Sequence, residues 1–234
     1  MARHYFIWKG TESTEMNIRL SGPVPVIKPE ERIEHVTIPG RAGELTLTEG
    51  DDIYQSYIQT VHIAVEGREE IPEVENWLKG SGDVIFSTQP DLKQTARIIG
   101  AVTFNRHSRN LDLYQADVQF YCEPLKKPLN ETTAEITTSG TGIYNPGDVT
   151  SKPKIQIRGS GLITITAGGK TITIPECVDK WIVDSETEWI TNNAGTPQES
   201  ACTGQFPVIP KGNSTIQFTG NVTKLIVTPR WRYL

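Results

Sequence analysis

The stretch LDLYQADVQFYC, residues 111–122, places Tyr114, Ala116, Val118 and Phe120 at every second position, with Gln115, Asp117 and Gln119 between them. A helix would scatter these two sets around its axis. A strand sends them to opposite faces, one dry and one wet. The same period of two runs through TVHIAVEG (60–67), where Val61, Ile63 and Val65 oppose His62 and Glu66. It recurs in KIQIRG, LITIT, KTITI, STIQFTG and LIVTPRW farther along the chain. The reading is a mainly β protein built from half-buried strands.

Turn chemistry joins these runs into hairpins. In TAGGKT, Gly168-Gly169 between two alternating runs signals a two-residue hairpin. Residues 97–122 read as a long hairpin closed by Asn105 to Asn110. VTIPGRAGELTLTEGDDIY (36–54) reads as strand, turn, strand, with Gly40 and Gly43 permitting the reversal. One helix is expected, in IPEVENWLKGSG (71–82). Pro72 suits its first turn, Glu73 and Glu75 favour its N-terminal end, and Val74, Trp77 and Leu78 share a face. Gly80 ends it. Two or three turns cannot stand alone in water, so this face must pack on a sheet.

The composition shifts across residues 123–150, where Pro, Thr, Gly and Ser replace the core periodicity. A boundary there divides the chain into domains 1–128 and 129–234. The first is β with one helix. The second carries six or seven short strands and suggests a small β-sandwich. At 234 residues and a net charge of −5, the chain argues against clamping the outside of nucleic acid, where cationic surface dominates affinity. No segment has the apolar length of a membrane helix, and MARHYFIWKG does not read as a signal peptide. These features suit a protein made in a reducing cytoplasm.

Candidate chemistry is sparse. Gly40-Arg41-Ala42-Gly43 runs into the alternating Leu45 and Leu47, so it opens a strand and lacks the helix N-terminus a phosphate loop needs. His4, His35, His62 and His107 are scattered, and Cys122, Cys177 and Cys202 form neither a zinc spacing nor an even disulfide set. Asp184, Glu186 and Glu188 could form a glycosidase pair or a calcium site, or simply a polar hairpin tip. Trp181 and Trp189 flank that run and could sit in the core or stack on a sugar or protein partner. Arg97, Arg106, His107 and Arg109 make a basic hairpin, either solvated or set against a neighbouring subunit or DNA. No cofactor, no metal and no catalytic residue is expected.

The order of elements, rather than any one motif, carries a resemblance. Pro39-Gly40-Arg41-x-Gly43 comes first, then Trp77-Leu78-x-Gly80 leading to Ile85-Phe86. Asn145-x-Gly147 with Ser151-x-Pro153 follows, then Ile209-Pro210-x-Gly212-Asn213-x-x-Ile216. Over nearly its whole length the chain resembles the distal tail (Dit) proteins of long-tailed bacteriophages and prophages. The resemblance implies an N-terminal tail-tube-like β domain with one short α-helix and a C-terminal galectin-like β-sandwich. It implies a virion structural protein and no enzyme: a hexameric ring at the tail tip, joining the tail tube to the baseplate hub or tail fibre. Receptor-binding proteins would attach outside, DNA would pass without specific binding, and no membrane would be involved. Arg41, Arg97, Arg106, His107 and Arg109 then become candidate subunit contacts, and an acidic excess is expected on the lumen face. The second domain is too compact for an inserted carbohydrate-binding module. The alternative is a carbohydrate-binding β-sandwich using Trp181 and Trp189.

Overall fold

The computed structural model describes residues 4–48, 50, 52–107 and 111–234. It divides into two compact units, one up to Leu129 and one of Asn130–Tyr233. The first contains strands β1 (Phe6–Trp8), β2 (Thr11–Glu12), β3 (Ile18–Leu20), β4 (Ile33–Thr37), β5 (Glu44–Thr48) and β6 (Tyr57–Glu66). After helix α1 (Ile71–Trp77) come β7 (Ser81–Phe86), β8 (Leu92–Ile99), β9 (Asn105–Arg106), β10 (Leu113–Cys122) and β11 (Lys127–Pro128). Among the described residues these form one sheet ordered β2-β1-β7-β8-β10-β6-β3, plus a separate two-stranded hairpin, β4-β5.

The period-two reading of residues 111–122 holds. β10 pairs antiparallel with β6 along all ten of its residues, from Leu113↔Glu66 to Cys122↔Tyr57. Its inner face buries Ala116, Val118, Phe120 and Cys122 against Val61, Ile63 and Val65 of β6. Phe120 stands at the centre. Its ring meets Phe6 at 5.5 Å, Trp8 at 5.4 Å and Phe86 at 5.8 Å between centroids, all edge-to-face. Helix α1 covers this face as its apolar stripe requires: Val74 and Leu78 are buried, and Trp77 stacks on Phe6. The Trp77 carbonyl accepts the indole N–H of Trp8 at 3.2 Å, tying the helix end to the sheet. The expected long hairpin is interrupted. β8 pairs with the far end of β10, while β9 pairs with Tyr114 and Gln115, and residues 100–104 leave the ladder. The expected turn of Asn105 to Asn110 falls partly outside the described residues.

The second unit is one sheet of seven strands among the described residues: β12 (Ala134–Ile136), β13 (Thr141–Asn145), β14 (Lys154–Ala167), β15 (Lys170–Asp184), β16 (Trp189–Thr191), β17 (Thr203–Gly204) and β18 (Gly212–Thr228). The expectation of short strands fails for three of them. β14, β15 and β18 have 14, 15 and 17 residues. Runs such as KIQIRG and LITIT are two halves of one strand, with Gly159 to Gly161 between them. The ladders slip at that level: β14 against β15 between Gly161 and Ile163, and against β18 between Ser160 and Thr164. Slips of this kind bend strands and let a sheet turn a corner onto itself. The sheet curls in this way around Ile155, Ile157, Ile163, Ile165, Ile174 and Ile216, in agreement with a β-sandwich.

Two glycine sites make the curl possible. Gly168 and Gly169, at φ 58° and 74°, close the expected two-residue turn between Ala167 and Lys170. Gly220 has φ 94°, and a Cβ there would collide with the Leu162 carbonyl oxygen across the bend. Gly220→Ala should therefore cost roughly 2–3 kcal/mol, from strained backbone plus collision. Gly142→Ala, in a strand with no atom within 4 Å of the added carbon, should stay within about 0.5 kcal/mol. Urea denaturation of both variants checks the contrast.

Candidate functional site

The acidic run 184–188 has the clearest local chemistry. Arg230 grips Asp184 with both guanidinium branches, at 2.6 and 2.7 Å, and reaches Glu186 at 3.2 Å. Arg232 binds Glu186 at 3.3 Å and Glu131 at 3.2 Å. The side chains of Arg230 and Asp184 are only 16 % and 14 % exposed, so solvent screens this pair weakly. Burial pushes the Asp184 carboxyl up. Arg230 and the backbone N–H groups of Thr187 and Glu186 outweigh it and hold the carboxyl below its ordinary value. A carboxylate locked in this way is neither a proton donor near neutral pH nor an open calcium ligand. The run is an ionic clasp on the C-terminal segment.

Two of the sequence pieces that carried the resemblance, Asn145 to Pro153 and the one beginning at Ile209, converge beside this clasp. Buried Asn145 donates to the carbonyls of Val149 and Ile209, each at 3.0 Å, and accepts the Gly147 N–H at 2.8 Å. Gly147 carries no Cβ because one would meet the Arg232 carbonyl oxygen at 2.5 Å. Ser151 exchanges two backbone hydrogen bonds with Ile209, both 2.9 Å, and its hydroxyl donates to the Pro229 carbonyl. The Pro153 carbonyl accepts the Ser185 N–H at 3.0 Å. These residues hold the end of the chain in place.

The two tryptophans part company. Trp181 is in the core, 5 % exposed, so it is no surface contact. Trp189 pairs with Asp184 at the end of β15 and is 53 % exposed. Residues 181 and 184 differ by an odd number along one strand, so the two rings lie on opposite faces and form no joint stacking platform.

The candidate contact residues fall in three places. Arg41 is exposed at the tip of the β4-β5 hairpin, where its N–H donates to the Ile38 carbonyl at 3.1 Å. Arg97 is exposed in β8, opposite Tyr121. Arg106 lies in β9, 3.9 Å from Asp112, and His107 bonds Gln115 at 2.9 Å, so both are engaged within their own hairpin. Arg109 lies outside the described residues. Burial pushes the Cys122 thiol up to about 12, so it is no thiolate near neutral pH. Among the described residues no three His, Cys, Asp or Glu side chains converge as a metal site. No described helix is long and apolar enough to cross a membrane.

Sequence reasoning missed one surface. β3 pairs with β6 only at Ile63 to Val65, so residues 57–61 of β6 have no strand on that side. A cleft of about 410 Å³ opens there, lined by Pro23, Val24, Pro25 and Ile27 on one wall and Ile58 to His62 on the other. Proline spacing in SGPVPVIKP was the available signal, since prolines cannot supply the ladder's N–H groups.

The chain is similar to SPP1 Dit, described as a paradigm of the hub adsorption apparatus in phages infecting Gram-positive bacteria. The match covers 100% of both chains at a TM-score of 0.76 and 17% identity. A chain of the phage p2 baseplate in its activated conformation matches over 97% of each chain, at a TM-score of 0.44 and 12% identity. No protein-family model and no curated protein matches. The SPP1 likeness shows that the chain has the fold of a Dit protein, as the order of its motifs led us to expect.

Replacing Arg230 by Met should cost about 3 kcal/mol at pH 7, because it strands the Asp184 carboxylate in a largely buried site while Glu186 keeps Arg232. The folded Asp184 carboxyl titrates below its unfolded value. Its stabilisation is therefore complete above about pH 4 and is lost as pH falls through the lower folded value. The gap between wild type and R230M should accordingly close in acid, as read by chemical denaturation from pH 7 to pH 2.

Proposed function

We propose that this protein is the distal tail protein of a long-tailed phage or prophage: a ring-forming hub, six copies per ring, at the tip of the tail. The observation that carries the reading is the full-length agreement with SPP1 Dit, which spans both compact units and their order. The first unit forms the ring and meets the tail tube on one side and the baseplate hub on the other. The second, the β-sandwich, offers its outer surface to receptor-binding or fibre proteins, with Trp189 as the exposed aromatic anchor. DNA passes through the ring without specific contacts. The protein is assembled in the host cytoplasm and ends in the virion tail.

The internal organisation supports a builder over a catalyst. The buried ion pairs of Arg230 and Arg232 are committed to holding the C-terminal segment, and clefts of about 410 and 460 Å³ lie along a strand edge and on a sheet surface.

Purified protein at micromolar concentration should give ring-shaped particles with sixfold symmetry in negative-stain micrographs, and a mass near six subunits by light scattering. A strict monomer at all concentrations, with wild-type secondary structure, would count against the ring. Affinity for a glycan array lost on Trp189→Ala would favour the carbohydrate-binding alternative.

A further inference from the structure

The described residues of 30–55 form an arm that no other described residue buries. Its root is pinned by hydrogen bonds from Arg32 to Ile53 at 2.9 Å and from Gln55 to Glu30 at 2.8 Å. Beyond that, β4 and β5 pair only with each other, from Ile33↔Thr48 to Thr37↔Glu44. No described residue of 30–55 is buried, and none belongs to either hydrophobic core. The hairpin is nonetheless amphipathic. Val36, Leu45 and Leu47 share one face with Glu34, while His35, Thr37, Glu44 and Thr46 share the other. An isolated two-stranded hairpin is marginal in water, and this one leaves its apolar face half-exposed or open.

We propose that the arm of one copy seats in the cleft of the next, adding a hairpin strand to the open edge of β6. This rests on the ring reading and names the element that closes it. The lengths agree: β4 and β5 have five residues each, and the unpaired stretch of β6 is residues 57–61. The chemistry agrees as well. Strand addition satisfies backbone groups along β6, and Pro23, Pro25, Ile27 and Ile58 offer apolar walls to Val36, Leu45 and Leu47. Buried Gln59 lines the same cleft, and among the described residues its amide donates to the neighbouring Thr60 carbonyl alone, at 3.4 Å.

Charge points the same way. Residues 30–55 hold seven Asp and Glu against two Lys and Arg, an excess equal to the whole chain's net charge of −5. Beside the cleft, Ile58, Tyr121 and Arg97 lie in one row across β6, β10 and β8. Arg97 makes no ion pair among the described residues and is the cation an acidic arm would meet. The arm's 26 residues also match the 20–30 residues a side of a standard interface. An arm and a cleft are different surfaces, so the contact is heterologous: it runs head to tail, and its rotation sets whether it closes as a ring.

Two measurements test this. First, residues 33–52 are replaced by a short Gly-Ser link, which the Arg32–Ile53 pairing leaves room to close. Circular dichroism shows that the unit is folded, and light scattering should show a monomer in place of the ring. Rings that persist without the arm would overturn the inference and leave the ring reading standing. Second, Leu47→Cys and Ile58→Cys are made in separate copies and mixed under mild oxidation. The mixture should give a covalent dimer on a non-reducing gel that neither variant gives alone. Wild-type rings without that dimer would overturn the inference. The dimer in a preparation that never forms rings would uphold the arm contact and sink the ring reading. Neither rings nor dimer would sink both.

Discussion

A sheet that alternates apolar and polar residues has one face that must be kept from water, and most of this chain's architecture follows from that constraint. The first unit meets it with a separate lid. The inner face around Phe120 is broad and flat, and the short helix with Val74, Trp77 and Leu78 is placed over it, its end hydrogen-bonded to Trp8. The second unit has no α-helix among its described residues and meets the constraint with itself. Three long strands bend at one level, and the two halves of the sheet close on a core of isoleucines. The β4-β5 hairpin meets it not at all within one chain. The fold covers two apolar faces and, among the described residues, leaves a third uncovered, which is the face the proposed contact between copies would bury.

The bend in the second unit explains what the sequence made legible and what it hid. Period-two alternation located nearly every long strand, because it depends only on which side of a sheet a residue faces. It could not count them, because alternation resumes on the far side of Gly159 to Gly161 and of Gly220 as if a new strand began. Strand and turn differ there by a ladder slip that only the neighbouring strands reveal. The helix and the Gly168-Gly169 turn were readable for the opposite reason: a cap, a stripe and a positive φ are local properties.

Candidate sites failed where the deciding partner was distant. Asp184 and its neighbours looked like available carboxylates because Arg230 stands 46 residues away. Trp181 and Trp189 looked alike until the sheet put them on opposite faces. Two of the motifs that carried the resemblance, Asn145 to Pro153 and the Ile209 piece, share a physical task. Asn145, Gly147, Ser151 and Pro153 sit around the segment ending in Arg230 and Arg232, where Asn145 satisfies buried carbonyls and Gly147 admits the backbone. Such a knot needs particular residues at particular spacings, whereas a sheet needs only a pattern.

The net charge changes meaning once it is placed. Spread over the chain, −5 suggested an acidic wall past which DNA would slide. In the structure, residues 30–55 account for all of it, and the remainder is neutral. Electrostatic repulsion of DNA by a lumen would have to come from the local arrangement of paired charges, such as Glu66 with Arg19, and not from an overall excess. A concentrated charge on an uncovered arm does something different. It acts over about 8–10 Å at ordinary ionic strength, steers an approaching copy, and opposes two arms meeting each other. For the proposed arm-in-cleft contact, like charge on every arm would disfavour a symmetric arm-to-arm dimer and leave the head-to-tail contact favoured. Thus the acidic excess bears more directly on the proposed contact between copies than on a lumen wall.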